Sequence, residues 1–174
     1  EALGAEAREP FRRIQAAILS KSYDALFSQL SQAVSRVGIK KLGQSSYIPD
    51  VADSHVDDAM VITAEDPDAL QMATHIYVII LSIGYAPGDS RFIETASIIV
   101  AGYIAHLQEK GMSDLIPSYA ALLPTEMCHG VLSKILIDIT DLNEKRYQIR
   151  AIQKHGIDIN AVLDAQWSWL SANV

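Results

Sequence analysis

Positive charge is missing from a long stretch of this 174-residue sequence, and several other features are scarce. Residues 42–90 contain no lysine or arginine but eight acidic side chains, in a chain of formal net charge −7. The single cysteine, Cys128, excludes an intrachain disulfide framework and a cysteine-based zinc finger. The longest apolar run, Ile76–Leu81, is far shorter than the roughly 20 residues of a membrane span. With 9 glycines and 6 prolines, the chain is neither fibrous nor broadly disordered.

The acidic composition, the lack of a leader and the single cysteine limit the partners and the location that we expect for this chain. Binding to nucleic acid needs clustered lysine and arginine, which an acidic chain does not favour. The first residues show no charged-then-apolar leader, so we expect no secretion. A lone cysteine agrees with a reducing compartment. We therefore expect a chain that does not contact nucleic acid directly and does not insert into membranes.

Apolar residues recur at three- and four-residue spacing along most of the chain, which is typical of amphipathic helices. Helix starts are predicted at capping Ser or Asp and at Pro, and helix ends at Gly. The predicted helices are residues 5–19, a stretch from Ser20 or Ser22 to Gly38, Pro67 to about Ile83, a stretch from Asp89 to Gly111, a short one after Ser113, one from Pro124, one from Asp141 to Lys154, and one after Asp158. Short connections force neighbouring helices to be antiparallel. The sequence therefore predicts an all-α fold, an irregular α-solenoid of antiparallel helical hairpins.

The acidic stretch has two parts in this interpretation. Ala69–Gly84 belongs to a buried helix, where burial alone explains the lack of positive charge. Residues 43–65 remain as an acidic loop between helices within 1–41 and helices within 66–174. We expect residues 1–174 to form one helical segment in which this loop is a mobile insertion, so that its deletion leaves the fold intact.

One part of the fold prediction has an alternative. Residues 75–83 and 134–140 are rich in β-branched and apolar side chains, which also suits buried strands of an α/β sheet. The start at Pro67 and the stop at Gly84 favour a helix instead. A helix that is apolar on all sides is expected to lie in the centre of the domain between neighbours.

Few residues suggest catalysis. Asp138 and Asp141 lie three residues apart, which is the i, i+3 spacing of a helix, and could bind Mg²⁺, but Asp141 more simply caps the following helix. Cys128 and His129 are adjacent and point about 100° apart on a helix, so they do not share a metal easily. A glycine-rich phosphate loop and a nucleophile elbow are both missing from the sequence. We predict no metal, no cofactor and no enzymatic activity, with an all-α magnesium-dependent enzyme as the alternative.

The last predicted helix offers a candidate protein interface, formed by Ile159, Leu163, Trp167, Trp169 and Leu170. Trp167 follows the apolar stripe of this helix, whereas Trp169 falls off it. Aromatic residues at the end of a solenoid pack either on a further repeat or partner, or into a capped core. Both interpretations stay open for the two tryptophans.

Several apolar motifs between residues 66 and 170 resemble a known family. They are Met72-Ala-Thr-His75-Ile-Tyr-Val-Ile-Ile-Leu81, Ala101-Gly-Tyr103-Ile-Ala-His-Leu107, Asp114-Leu-Ile-Pro-Ser-Tyr119-Ala-Ala-Leu-Leu123-Pro124, and finally Arg146 with Lys154-His-Gly156-Ile-Asp158. Their order and spacing are similar to those of the nucleoporin 107 / nucleoporin 84 family, helical subunits of the Y-shaped scaffold subcomplex of the nuclear pore. The chain would then be an internal fragment of a longer protein.

The resemblance implies a structural role without catalysis. It implies a location in the nucleus, at the nuclear pore complex of the nuclear envelope, and support of transport that includes mRNA export and protein import. It further implies that the full-length chain binds nucleoporin 96 (145C in yeast) and nucleoporin 133. A helical scaffold of another coat or of a signalling assembly is the alternative with the same fold.

Overall fold

The computed structural model describes residues 10–42, 67–84 and 90–172. Of these residues, 86% are helical and none lies in a β-strand. The all-α prediction is therefore confirmed. The alternative with strands at 75–83 and 134–140 is wrong, because these stretches are helical as far as Ser82 and Asp138. The predicted acidic loop at 43–65 lies outside the described residues.

The described ranges contain eight α-helices and one 3-10 turn. The helices are α1 (Pro10–Ser20), α2 (Tyr23–Leu42), α3 (Pro67–Ser82), α4 (Ser90–Glu109), α5 (Ile116–Ala120), α6 (Thr125–Asp138), α7 (Leu142–Lys154) and α8 (Ile159–Ala172). The 3-10 turn, Ser113–Leu115, leads directly into α5. None of the helices in these ranges combines the length and the apolar character that a bilayer span requires.

Glycines terminate three of the helices as predicted. Gly84, Gly111 and Gly156 have φ angles of 68°, 69° and 74°, a left-handed conformation that glycine adopts without steric cost. After Gly111, the Met112 N–H donates to the Leu107 carbonyl at 2.9 Å, which completes a Schellman motif. The predicted stop at Gly38 is wrong. Good helix formers follow it, and α2 continues to Leu42 because a glycine inside a helix costs only about 1 kcal/mol.

Aspartates cap two helices, again as predicted. The Asp141 carboxylate accepts from the Asn143 N–H at 2.9 Å, and the Asp158 carboxylate accepts from the Asn160 N–H at 2.9 Å. Each bond satisfies a backbone donor that the first turn leaves without an intrahelical partner. Ser113 does not cap α5. It is the first residue of the 3-10 turn, and Met112 occupies the cap position before it.

The chain divides into two compact units, Glu1–Tyr103 and Ile104–Val174. In the first unit, α1 contacts both α2 and α3. Its core includes three aromatic rings from three helices. The Phe27 centroid lies 5.0 Å from that of Phe92 and 6.5 Å from that of Tyr77, which are favourable tilted contacts. The side chains of Phe27, Tyr77 and Phe92 are all buried.

Helix α3 is buried on one side only. Its buried residues are Ala69, Leu70, Ala73, Thr74, Tyr77 and Ile80. Ile79 on the other side is 58% exposed, and Ile83, just after the helix, is 69% exposed. The prediction of a central helix between neighbours is therefore wrong, since an apolar composition on all sides did not lead to burial on all sides.

In the second unit, α8 packs along α6, α5 contacts both α6 and α7, and α7 contacts α8. Its core side chains include Leu107, Leu123, Leu132, Leu136 and Ile152. The sequence also predicts packing positions at Leu115 and Tyr119. Leu115 is instead exposed and Tyr119 is only partly buried. In this short segment of 3-10 turn and α5, only Ile116, Pro117 and Ala120 are fully buried.

Candidate protein-interaction surface

The five residues predicted as a protein interface all lie on α8. Ile159, Trp169 and Leu170 are partly buried, whereas Leu163 and Trp167 are exposed. Only Val162 of this helix is fully buried. Because a helix turns by about 100° per residue, the burial of Val162 fixes which side of α8 faces the core.

The outward side of α8 carries an exposed apolar pair, Leu163 and Trp167. They lie four residues apart, so their side chains are neighbours on the helix surface. Leu163 is 43% exposed and Trp167 is 73% exposed. We call this pair the α8 patch. Tryptophan is among the residues most enriched in binding hot spots, because a rigid ring brings a large apolar area to a contact.

The two tryptophans, for which the sequence left both interpretations open, differ in exposure. Trp169 is partly buried, and its ring lies beneath the Lys134 ammonium at 5.9 Å from the centroid. Burial lowers the pKa of Lys134, and the electron-rich face of the indole favours the charged form. Trp169 therefore contributes to the packing of α8 on α6, while Trp167 is exposed.

The two aspartates considered for a magnesium site make hydrogen bonds within the chain. One Asp138 oxygen accepts from the Gln108 amide at 3.1 Å, and Asp141 caps α7 through Asn143. Within the described residues no group of three or more His, Cys, Asp or Glu side chains is placed to hold a metal ion. Burial raises the pKa of the Cys128 thiol to about 11. This thiol is therefore not an activated nucleophile at neutral pH, since the thiolate is the reactive species.

A second exposed apolar region was missed in the sequence prediction. Phe11 on α1 and Ile79 on α3 are both exposed, and they line an open groove of about 410 Å³ with Met72, His75 and Ile76. The signal was present in the sequence, because α3 carries more apolar residues than one face can bury. The described residues thus form an all-helical structure with exposed apolar regions on its surface.

Comparison with known proteins identifies the family. Residues 1–173 match the family described as nuclear pore protein 84 / 107, and the chain belongs to this family. The resemblance predicted from the apolar motifs is confirmed. Family membership places the chain at the nuclear pore complex in the nuclear envelope and decides against a coat or signalling assembly elsewhere.

A relative with a curated name is nucleoporin NUP84 of Chaetomium thermophilum. It is 25% identical over 171 residues, which cover 93% of this chain and 18% of the relative. The chain thus spans less than a fifth of the length of that relative. No solved structure matches the chain.

Proposed function

We propose that this chain is a structural segment of the nuclear pore scaffold, belonging to the Y-shaped subcomplex and acting through protein–protein contacts alone. Membership of the nuclear pore protein 84 / 107 family supports the scaffold role. The main observation in support of a contact function is the α8 patch, in which Trp167 is 73% exposed. Contiguous exposed apolar side chains of this kind mark interaction sites on soluble proteins.

The architecture we propose is an irregular α-solenoid of antiparallel hairpins. The connections support it, since α1 and α2 are separated by two residues and α6 and α7 by three, and short connections favour antiparallel neighbours. A solenoid presents its helix faces to neighbouring repeats and partners along its length. On this proposal the full-length protein supports transport, including mRNA export and protein import, without itself binding nucleic acid or inserting into the membrane.

The partners we propose are other scaffold nucleoporins of the nucleoporin 96 (145C) and nucleoporin 133 types, bound through the full-length chain. No contact residue of this segment is assigned to either of them. The α8 patch, with Ile159 and Leu170 at its edge, is proposed as a contact with protein of the same scaffold.

The test is Trp167→Glu in the full-length protein, expressed in cells with an affinity tag. Its matched control is Ser168→Glu, which adds the same charge at the neighbouring exposed position of α8. We expect Trp167→Glu to lower the recovery of other scaffold nucleoporins at unchanged protein level, because a charge at the centre of an apolar contact is not solvated. We expect Ser168→Glu to leave recovery unchanged. Equal recovery from both variants would contradict an interface role for the α8 patch.

A further inference from the structure

The outward side of α7 carries three positive charges in a row. Arg146, Arg150 and Lys154 follow one another at four-residue spacing, and all three side chains are exposed. On an α-helix, residues four apart lie about 40° apart around the axis and about 6 Å apart along it. The three side chains therefore form one continuous strip, which we call the cationic ridge.

Among the described residues, no acidic side chain pairs with the cations of the ridge. None of the three side chains makes an ion pair or a hydrogen bond within the described part of the chain. Glu144 is the only acidic residue of α7, and it lies about 120° around the helix from Arg150. Its carboxylate instead accepts from the Ser113 hydroxyl at 3.5 Å.

The ridge contrasts with the rest of the chain. The sequence has 14 lysine and arginine residues against 21 aspartates and glutamates. A helix face with three cations and no anion is therefore more positive than the composition of the chain predicts. Two exposed apolar side chains, Leu142 and Tyr147, flank the ridge. Arginine next to an exposed tyrosine is the composition of protein-binding hot spots.

We propose that the cationic ridge binds an acidic helical segment of a partner protein. Carboxylates at four-residue spacing on such a helix have the same rise of about 6 Å as the three cations, so the two rows of charge can face each other in register. The arginine guanidinium groups can each bind a carboxylate in bidentate fashion. An apolar side chain of the partner packs against Tyr147. This contact differs in chemistry from the apolar α8 patch and does not depend on it.

A protein is favoured over a nucleic acid on two grounds. Three cations neutralise only a few phosphates, so the salt-dependent affinity for a polyanion is small, and the net charge of −7 repels one. The exposed Leu142 and Tyr147 also bring apolar area that a phosphate backbone does not use.

The experiment is a set of fluorescence anisotropy titrations of the purified chain. The first probe is a labelled helical peptide of Ala, Leu and Glu, with glutamates four residues apart, and the second is the same peptide with Gln in place of Glu. Labelled single-stranded DNA and vesicles containing phosphatidylserine are the other two probes. We expect the Glu peptide to bind most tightly and its affinity to fall with added salt, because screening weakens exposed charge pairs.

Two double variants make the test specific. Arg146→Gln with Arg150→Gln removes two charges from the ridge, and Lys21→Gln with Lys110→Gln removes two charges from exposed positions elsewhere. Loss of two exposed ion pairs is expected to weaken binding of the Glu peptide roughly five-fold, and the control pair to change it less than about two-fold. Circular dichroism verifies that both variants keep their helix content. The proposal is overturned by an equal effect of the two pairs, by no preference for Glu over Gln peptide, or by tighter binding of DNA or vesicles.

Discussion

The ammonium group of Lys134 lies 5.9 Å from the centroid of the Trp169 ring, which joins the middle of α6 to the end of α8. A cation over an indole face contributes about 0.5–1 kcal/mol, and more when it is desolvated. We predict a coupling free energy of this size between Lys134→Met and Trp169→Leu in a double-mutant cycle, measured by urea unfolding. The matched cycle with Trp167→Leu in place of Trp169→Leu is expected to be additive, because Trp167 is exposed. Coupling of equal size in both cycles would argue against a direct contact.

Close packing of α2 on α4 gives a second prediction. A Cβ atom added to Gly102 would lie 2.6 Å from Cγ1 of Val34, which is closer than side-chain atoms approach. Gly102→Ala is therefore expected to destabilise the fold by about 1–3 kcal/mol, although alanine is the better helix former by about 1 kcal/mol. A Cβ atom added to Gly130 of α6 would meet no atom within 4 Å, so Gly130→Ala is expected to stabilise instead.

The unfolding experiment for these glycines has an internal check. Adding Val34→Ala to Gly102→Ala removes the atom that would clash, so the double variant is expected to be more stable than the sum of the single effects predicts. If the effects of Gly102→Ala and Val34→Ala on stability are strictly additive, or if Gly102→Ala stabilises the chain, then α2 and α4 move apart at no cost in free energy.

A buried amide provides the third prediction. Gln148 of α7 is only 2% exposed, and its side-chain nitrogen has no hydrogen-bond partner among the described residues. A buried polar group without a partner costs roughly 1–3 kcal/mol. Gln148→Met keeps an unbranched side chain of similar length and removes this polar group, so we predict a gain of about 1 kcal/mol in the free energy of unfolding.

The control for that measurement is Gln153→Met on the same helix. Gln153 is exposed, so its replacement is expected to change stability by less than about 0.5 kcal/mol. If Gln148→Met destabilises the chain while Gln153→Met does not, the amide of Gln148 has a partner that stabilises it, such as a buried water molecule.

The fourth prediction concerns alkaline pH. Burial raises the pKa of Cys128 from 9.0 to about 11, so the folded state keeps the thiol protonated where the unfolded state has lost the proton. The contribution of this group to stability is fully present below pH 9 and is lost as the pH rises towards about 11. Urea unfolding should show this fall, and Cys128→Ala should show a smaller one. Tyr77, whose pKa burial also raises, is present in both proteins, so their difference isolates the thiol.

The same residue can be followed by alkylation. Iodoacetamide is expected to modify Cys128 at pH 8 only as fast as the chain unfolds, because the thiol is buried and the thiolate is the reactive form. Modification at the rate of a free thiol in the folded chain would contradict the burial of Cys128.

Local features of the fold were predictable from the sequence because their causes lie within a few residues. The ends of α4 and α7 follow from Gly111 and Gly156, and the starts of α7 and α8 follow from Asp141 and Asp158. Each of these depends on hydrogen bonds between residues at most five apart. Gly38 shows the limit, since one glycine was outweighed by the helix formers after it.

Which side of each helix is buried was less predictable, because burial depends on residues that are far away in the sequence. The sequence placed Trp167 on the apolar stripe of α8, yet contact with α6 turns Val162 and Trp169 inward and leaves Trp167 exposed. Likewise, the composition of α3 could not show that Ile79 is exposed. The four-residue spacing of the cationic ridge can be read from the sequence. The exposure of its three side chains could not be predicted, because it depends on how the helices of the second unit pack.

Both tryptophans of the chain, Trp167 and Trp169, lie on α8. Their fluorescence therefore reports on the surroundings of this helix. Indole emission shifts to shorter wavelength when water leaves the ring, so the tryptophan fluorescence of the chain, excited where tyrosine does not absorb, reports on one helix alone. If the α8 patch is an interface as we propose, Trp167 supplies the component that responds to a bound partner. Trp169, partly buried beneath Lys134, supplies a component that is expected to change when α8 leaves α6. Docking on the scaffold and unfolding of the second unit therefore have different spectral signatures without any added label.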